Sequence, residues 1–153
     1  MNLPNLSLKR RYLGWFVVIA TALAFWGHTF IPATPAVDIG RVHIPVEIAR
    51  DDASLQKGLS GRVSLDPEKG MLFVFPKPDI YPFWMPDMYF PIDIIWINSG
   101  YVVDITADVP NDFDPHNPKF YAPKTPVQYV LEVNAGFART QNINIGDKAV
   151  LRI

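Results

Sequence analysis

Fifteen prolines are the feature that most limits what this chain can fold into. Proline fixes φ and lacks a backbone N–H, so it interrupts helices and is confined in sheets to edges, first positions and bulges. Together with nine glycines, the prolines indicate many short strands separated by turns rather than long helices.

The segments between these breaks predict strands and one short helix. Asp51 to Gly58 has an aspartate at its start and a glycine at its end, which is typical of a short capped helix. Short apolar runs and apolar–polar alternation predict strands at Val42 to Ile48, Met71 to Phe75, Ile92 to Ile97, Tyr101 to Ile105, Val127 to Val133 and Ala149 to Ile153. We therefore predict a mainly β fold, a single antiparallel jelly-roll-like sandwich or small barrel.

The N-terminal region has a different composition. Tyr12 to Ile31 is a run of twenty residues without a formal charge, and it follows the basic cluster Lys9 to Arg11. A helix of that length is about 30 Å long, which matches the hydrocarbon thickness of a bilayer. The positive-inside rule then places the N-terminus in the cytoplasm and the rest of the chain outside.

These observations predict four regions along the chain. Residues 1–11 form a basic cytoplasmic N-terminus, 12–31 a transmembrane signal anchor, 32–41 a linker, and 42–153 a β-rich domain. The predicted location is the cytoplasmic (inner) membrane, crossed once, with the domain on its periplasmic or extracellular side. The alternative is a signal peptide cleaved near Ala36, which would release the domain as a secreted protein.

Composition also argues against several classes of function. From Asp38 onward the chain has fifteen acidic and eleven basic residues, a net charge of −4. Nucleic-acid binding depends on neutralising phosphates, so no nucleic-acid partner is predicted. The absence of cysteine excludes disulfides, thiolate catalysis and zinc–sulfur sites.

The segment Phe83 to Ile97 is the best candidate for a binding site. It combines aromatic rings with two carboxylates, and a carboxylate in so apolar a run is costly to bury unless it is paired. Aromatic clusters line small-ligand clefts, but they also form ordinary cores. We predict a cleft built from three of these residues and supported by a nearby acid and cation: Trp84, Asp87, Tyr89, Asp93 and Arg62.

Two of these residues have structural alternatives. Asp93 could accept hydrogen bonds from the backbone or from Arg62 and fix a bend. Arg62 could form an ion pair with Asp93 or Glu132, or bind an anionic ligand. We favour the structural interpretation for Asp93, because no second type of catalytic residue accompanies Asp87 and Asp93, and we favour a structural ion pair for Arg62.

No metal or cofactor site is predicted. Asp108, Asp112, Asp114 and His116 share one loop, but that loop lacks the spacing and the glycine of an EF-hand. The serines lack the Gly-x-Ser-x-Gly motif, and no phosphate-binding loop is present.

Seven short motifs, in this order and spacing, carry a family resemblance: Gly58–Arg62, Gly70–Phe75, Phe83–Met85, Pro91–Ile94, Gly100–Val103, Tyr129–Gly136 and Gly146–Asp147. The sequence from about Val42 to Ile153 resembles the domain-of-unknown-function 192 family, small proteins that are often exported or membrane-anchored. The resemblance implies a mainly β fold and no accepted activity. Relatives usually have Lys-Asn-Thr where Pro86, Asp87 and Met88 stand here, which draws attention to Asp87.

The leading functional hypothesis is a membrane-tethered domain of the cell envelope that binds a small ligand or a protein without catalysing a reaction. One alternative is an envelope hydrolase that uses Asp87 and Asp93. Another is a structural partner of a second envelope protein, with the aromatic residues as its contact surface.

Overall fold

The computed structural model describes residues 34–153. Within this range seven strands and two short helices follow one another along the chain, and we number each type in chain order. They are β1 (Ala36–Ile39), β2 (Val42–Ala49), α1 (Asp52–Lys57), β3 (Gly70–Asp79), β4 (Ile92–Asn98), β5 (Tyr101–Val109), β6 (Val127–Asn134), α2 (Phe137–Thr140) and β7 (Ala149–Arg152).

All seven strands belong to one curved sheet, in the order β5-β4-β6-β3-β2-β1-β7. The strands at its two edges meet at one end, where Tyr101 and Lys148 form an isolated bridge. The backbone N–H of Val102 donates to the carbonyl of Asp147 there, at 2.9 Å. The sheet is therefore a half-barrel, and the prediction of a mainly β fold with short helices is confirmed.

The prediction of a wholly antiparallel sheet was wrong at one pairing. β2 and β3 run parallel, with Val46 opposite Gly70 and Ala49 opposite Phe73. A parallel pair needs a long crossover, and α1 with the loop after it supplies that connection. Alternation within a strand indicates which side chains share a face but not the direction of the neighbouring strand.

Two predicted boundaries also need correction. Part of the predicted linker, Ala36–Ile39, is the strand β1, which is held by β2 on one side and β7 on the other. The strand predicted to stop before Pro76 continues to Asp79. Its pairing with β6 shifts register after Val74, so the two prolines of this strand lie in an irregular, exposed stretch where no ladder hydrogen bond is required of them.

The sheet has a core on each face. One core includes Ile44, Leu72 and Leu131, and the other includes Phe73 and Trp96, all essentially inaccessible to solvent. The strand β4, between β5 and β6, is covered on both sides, since Ile92 to Ile97 are all buried. Segments that cover the second core also enclose the candidate site.

The predicted membrane span at residues 12–31 and the cytoplasmic segment 1–11 lie outside the described residues. Across residues 34–153, neither length nor apolar character qualifies any helix as a membrane span.

Candidate functional site

A cavity of about 250 Å³ opens between α1, the turn after it and the segment 81–88, above one face of the sheet. Most of the side chains that line the cavity are aromatic or aliphatic, and Glu132 adds a carboxyl group to the lining. We call this cavity the aromatic pocket; its principal side chains are Leu55, Phe73, Phe75, Tyr81, Phe83 and Trp84.

The first wall of the pocket is α1 and the turn that ends it. Asp51 accepts a hydrogen bond from the Ser54 backbone at 3.0 Å, and the Ser54 hydroxyl accepts one from the Asp51 backbone at 3.2 Å, which forms a capping box. Gly58 then turns the chain at a φ of +48°. A Cβ on Gly58 would lie 3.0 Å from the Phe73 ring and 3.9 Å from Oε2 of Glu132. A glycine at this position therefore leaves space above the Glu132 carboxyl.

The second wall is the segment 81–88, which three backbone hydrogen bonds fix in place. Phe83 exchanges two of them with Tyr121, at 2.7 and 2.8 Å, and the Asp87 carbonyl accepts the third from Gly61 at 2.9 Å. The Phe83 ring packs edge-on against Phe73 and Trp96, with ring centroids 5.0 and 5.5 Å apart. The aromatic wall is therefore continuous with the core of the sheet.

Glu132 is 5% exposed and lies on the interior strand β6, directly between Met71 on β3 and Ile94 on β4. Among residues 34–153 no hydrogen bond to its carboxyl group is found, and the influences on its pKa are burial and the charge of Arg62 alone. Burial raises the pKa of Glu132 to about 8, and the positive charge of Arg62 acts in the opposite direction. The carboxyl is therefore mostly protonated at neutral pH.

Arg62 pairs with Glu47, which corrects the prediction of Asp93 or Glu132 as its partner. Its two terminal nitrogens donate to the two carboxylate oxygens of Glu47 at 2.6 and 2.8 Å. These hydrogen bonds lower the pKa of Glu47 and raise that of Arg62. Glu47 and Glu132 face the same side of the sheet with Met71 between them, so Arg62 lies near both carboxyl groups.

Asp93 is completely buried, and it belongs to the opposite face of the sheet from Glu132. Its carboxylate accepts three backbone hydrogen bonds, from Asp108 at 2.8 Å, Gly136 at 3.1 Å and Ala138 at 2.9 Å. The expectation that Asp93 accepts backbone hydrogen bonds is confirmed. It joins β4 to β5 and to the start of α2.

The other three predicted site residues occupy different environments. Trp84 lines the aromatic pocket and is 48% exposed, with its ring stacked on Phe120 at 6.0 Å. Asp87 is exposed, has a φ of +53°, and does not line the pocket. Tyr89 is 63% exposed and also lies outside the lining. The structure therefore brings Trp84 to the pocket and leaves Asp87 and Tyr89 outside it.

Sequence reasoning considered Glu132 only as an ion-pair partner and missed it as a pocket residue. The signal was available in β6, where alternation places Glu132 on the same side as Val130, among apolar positions. A carboxyl group at an inward-facing position of a strand is unusual, and it identifies a site more directly than aromatic density does.

The acidic loop residues are spread over separate contacts. Asp104 accepts from the backbone and the ammonium group of Lys124, and Asp108 accepts from Arg139 at 2.9 Å. Within residues 34–153 no group of three or more His, Asp or Glu side chains is placed to hold a metal ion.

The family model for domain-of-unknown-function 192, described as an uncharacterised ACR, matches residues 36–151. The chain belongs to this family. The match begins at the first residue of β1, so the DUF192 domain includes that strand.

Two solved structures resemble this DUF192 chain. One is a protein of unknown function from Novosphingobium aromaticivorans DSM 12444, with 32% identity, a TM-score of 0.68, and coverage of 80% of this chain and 89% of that one. The other is named as a putative transcription regulator from Sinorhizobium meliloti 1021, with 31% identity, a TM-score of 0.69, and coverage of 78% and 94%. A comparison with curated proteins found no match.

Proposed function

We propose that this DUF192 domain is a non-enzymatic binding module that takes up a small ligand in the aromatic pocket. One observation carries the proposal: the carboxyl group of Glu132, a residue 5% exposed, lines the cavity without a hydrogen-bond donor from residues 34–153. Among the described residues every fully buried side-chain nitrogen or oxygen atom has a hydrogen-bond partner, so a carboxyl without a protein donor must reach the cavity, where a ligand can supply the partner. The volume of about 250 Å³ favours a ligand of few atoms.

The geometry favours binding over the alternative of a hydrolase that uses Asp87 and Asp93. The Asp93 carboxylate already accepts three backbone hydrogen bonds, and Asp87 lies exposed outside the pocket. Two carboxylates need a shared site to divide acid and base roles between them. Neither of them lines the aromatic pocket.

Charge argues against transferring the name of the Sinorhizobium protein to this chain. Residues 34–153 carry a net charge of −4, with eleven basic and fifteen acidic side chains. A DNA-binding regulator depends on clustered Lys and Arg to displace counterions from phosphates. The proposal therefore includes no nucleic-acid partner.

We further propose that residues 12–31 tether the domain to the outer face of the cytoplasmic membrane. Ala36 is 1% exposed and pairs with both β2 and β7, so cleavage after it would shorten β1. This favours an uncleaved anchor over a secreted form. A reporter enzyme fused after Ile153 should be active only on the outer side, and activity confined to the cytoplasm would overturn the orientation.

A thermal-shift screen of the full-length chain tests the binding proposal. The panel should contain small sugars, peptidoglycan fragments, organic anions and organic cations. Ser60 lines the pocket, so Ser60→Phe should fill it and abolish the shift caused by a true ligand. Ser64 is exposed and outside the lining, so Ser64→Phe is the matched control. Shifts that persist in Ser60→Phe, or none across the panel, would refute the proposal.

A second candidate function, docking of an envelope protein, is favoured by the aromatic rings that pack against Trp84 at the surface. Trp84 stacks on Phe120 and meets Phe113 edge-on at 5.7 Å, and Phe120 is 59% exposed. Exposed aromatic side chains are typical anchors of protein interfaces. Cross-linking in membranes should capture one envelope protein, and Phe120→Ser should abolish the capture while ligand shifts persist.

A further inference from the structure

The charge and the walls of the aromatic pocket restrict the chemical class of its ligand. The carboxyl of Glu132 forms part of the floor, and five aromatic side chains contribute to the lining: Phe73, Phe75, Tyr81, Phe83 and Trp84. Aromatic rings present negative electrostatic potential on their faces, and a carboxylate is negative. Both kinds of group therefore favour a positive ligand.

The charges already present leave Glu132 without a counter-ion. Arg62 is the nearby cation, but each of its terminal nitrogens donates to Glu47, which already balances its charge. Lys57 lies at the rim on α1 and is exposed. An ionised Glu132 would therefore add an unpaired negative charge to a neutral Arg62–Glu47 pair, and an incoming cation would balance it.

We propose that the aromatic pocket binds the ammonium group of a small organic cation, with Glu132 as its counter-ion and the aromatic rings as its walls. This inference rests on the proposed binding function and specifies its ligand class. When the cation binds, the Glu132 carboxyl releases its proton to solvent and becomes a carboxylate. The bound complex is then a buried ion pair enclosed by rings.

The same geometry predicts how binding depends on pH. A cation binds the ionised carboxylate, so its affinity should increase as Glu132 loses its proton. With a pKa of about 8, the ionised fraction and hence the affinity rise roughly 50-fold between pH 6 and pH 8. An anion that accepts a hydrogen bond from the protonated carboxyl would show the reverse trend. The facing groups titrate outside the interval from pH 6 to pH 8, because the pKa values of Arg62 and Tyr81 are raised and that of Glu47 is lowered.

Calorimetric titration of the full-length chain in a non-ionic detergent tests the inference. The probe is choline, whose charge does not change with pH, and the comparison ligand is its carbon isostere with a tert-butyl group in place of the trimethylammonium group. We expect choline to bind at least tenfold more tightly than the isostere. In buffers of different ionisation heat at pH 7, choline binding should release close to one proton per chain.

Two variants locate the effect. Glu132→Gln should weaken choline binding at least tenfold and remove its pH dependence and proton release. Glu68→Gln changes an exposed glutamate, and it should leave the affinity for choline, its pH dependence and the proton release unchanged. Circular dichroism checks that both variants fold, and the proton count in the unmodified chain is a readout that needs no variant.

Other results would separate failure of this inference from failure of the pocket itself. Equal binding of the isostere, or choline affinity that is flat or falls from pH 6 to pH 8, overturns the ammonium class. Absence of choline binding, with a panel ligand that is still lost in Ser60→Phe, overturns the ammonium class and leaves the pocket intact. Binding that survives in both Ser60→Phe and Glu132→Gln overturns the pocket as well.

Discussion

Replacement of Glu132 by glutamine should remove a specific pH dependence from the stability of the domain. In the folded chain Glu132 has a pKa of about 8, against 4.5 for an unperturbed glutamate. Between these values the folded state holds a proton that the unfolded state has released. The free energy of unfolding therefore falls by up to about 1.4 kcal/mol per pH unit as pH rises.

The size of this effect makes it measurable. Across the interval from 4.5 to 8 the loss amounts to about 5 kcal/mol, a large part of the roughly 5–15 kcal/mol that stabilises a typical domain. Glutamine has nearly the same shape and cannot ionise. We expect Glu132→Gln to match the parent chain near pH 5 and to be more stable by several kcal/mol at pH 9.

Urea unfolding at pH 5 to 9, followed by tryptophan fluorescence, provides the assay. Trp96 is fully buried in the core beside the pocket, so its fluorescence reports unfolding of that core. Asp38, Asp51 and Asp66 have lowered pKa values, so the stability they contribute is lost only in more acidic solution. Glu68→Gln serves as the exposed control. Equal slopes for the parent chain and Glu132→Gln, or stability that rises with pH, would refute the reasoning.

Three further substitutions test other parts of the structure by urea unfolding. Arg62→Gln removes a positive charge that lowers the pKa of Glu132, so the fall in stability, which ends near pH 8 in the parent chain, should continue to higher pH. Loss of its partly exposed ion pair should itself cost under about 1 kcal/mol. A fall in stability that ends at the same pH as in the parent chain would contradict this. Asp93→Asn replaces a carboxylate that serves three backbone donors, and should cost about 3 kcal/mol or more. A loss below about 1 kcal/mol would argue against its structural role. Gly70→Ala would place a Cβ 2.8 Å from a leucine side chain and 2.9 Å from a backbone carbonyl oxygen, and should cost about 1–3 kcal/mol. A neutral result would show that the two strands separate more easily than their packing suggests.

The parts of the fold that could be predicted depend on local pattern. The hairpin of β4 and β5 follows from two apolar runs around Asn98 to Gly100, and both strands are present. β1 escaped prediction because four residues carry too short a pattern, and one of its two partners, β7, is distant in sequence. The parallel pairing of β2 with β3 is likewise a property of the crossover and not of either strand.

The candidate site divides in the same way. Trp84 was predicted from aromatic density, which is local, and it lines the pocket. Asp87 attracted attention because its residue type differs from that of relatives, yet its main structural feature is a left-handed backbone, which aspartate tolerates better than most residues. Identifying Glu132 required the register of three strands, because only pairing with Met71 and Ile94 reveals how deeply it is buried.

Asp93 and Glu132 show why burial alone does not assign a role. Both are acidic residues on neighbouring interior strands of one sheet, and both are at most 5% exposed. Three backbone donors satisfy Asp93, so its charge contributes to holding the loops together. Glu132 has no such donor from residues 34–153, and Gly58 leaves space above it at a φ of +48° that most residues avoid. A glutamine or methionine at position 132 would avoid the cost of a buried ionisable group, so stability does not explain this carboxyl. The proposed ligand would explain it, because a partner that binds Glu132 in the folded chain recovers the free energy lost in the empty pocket.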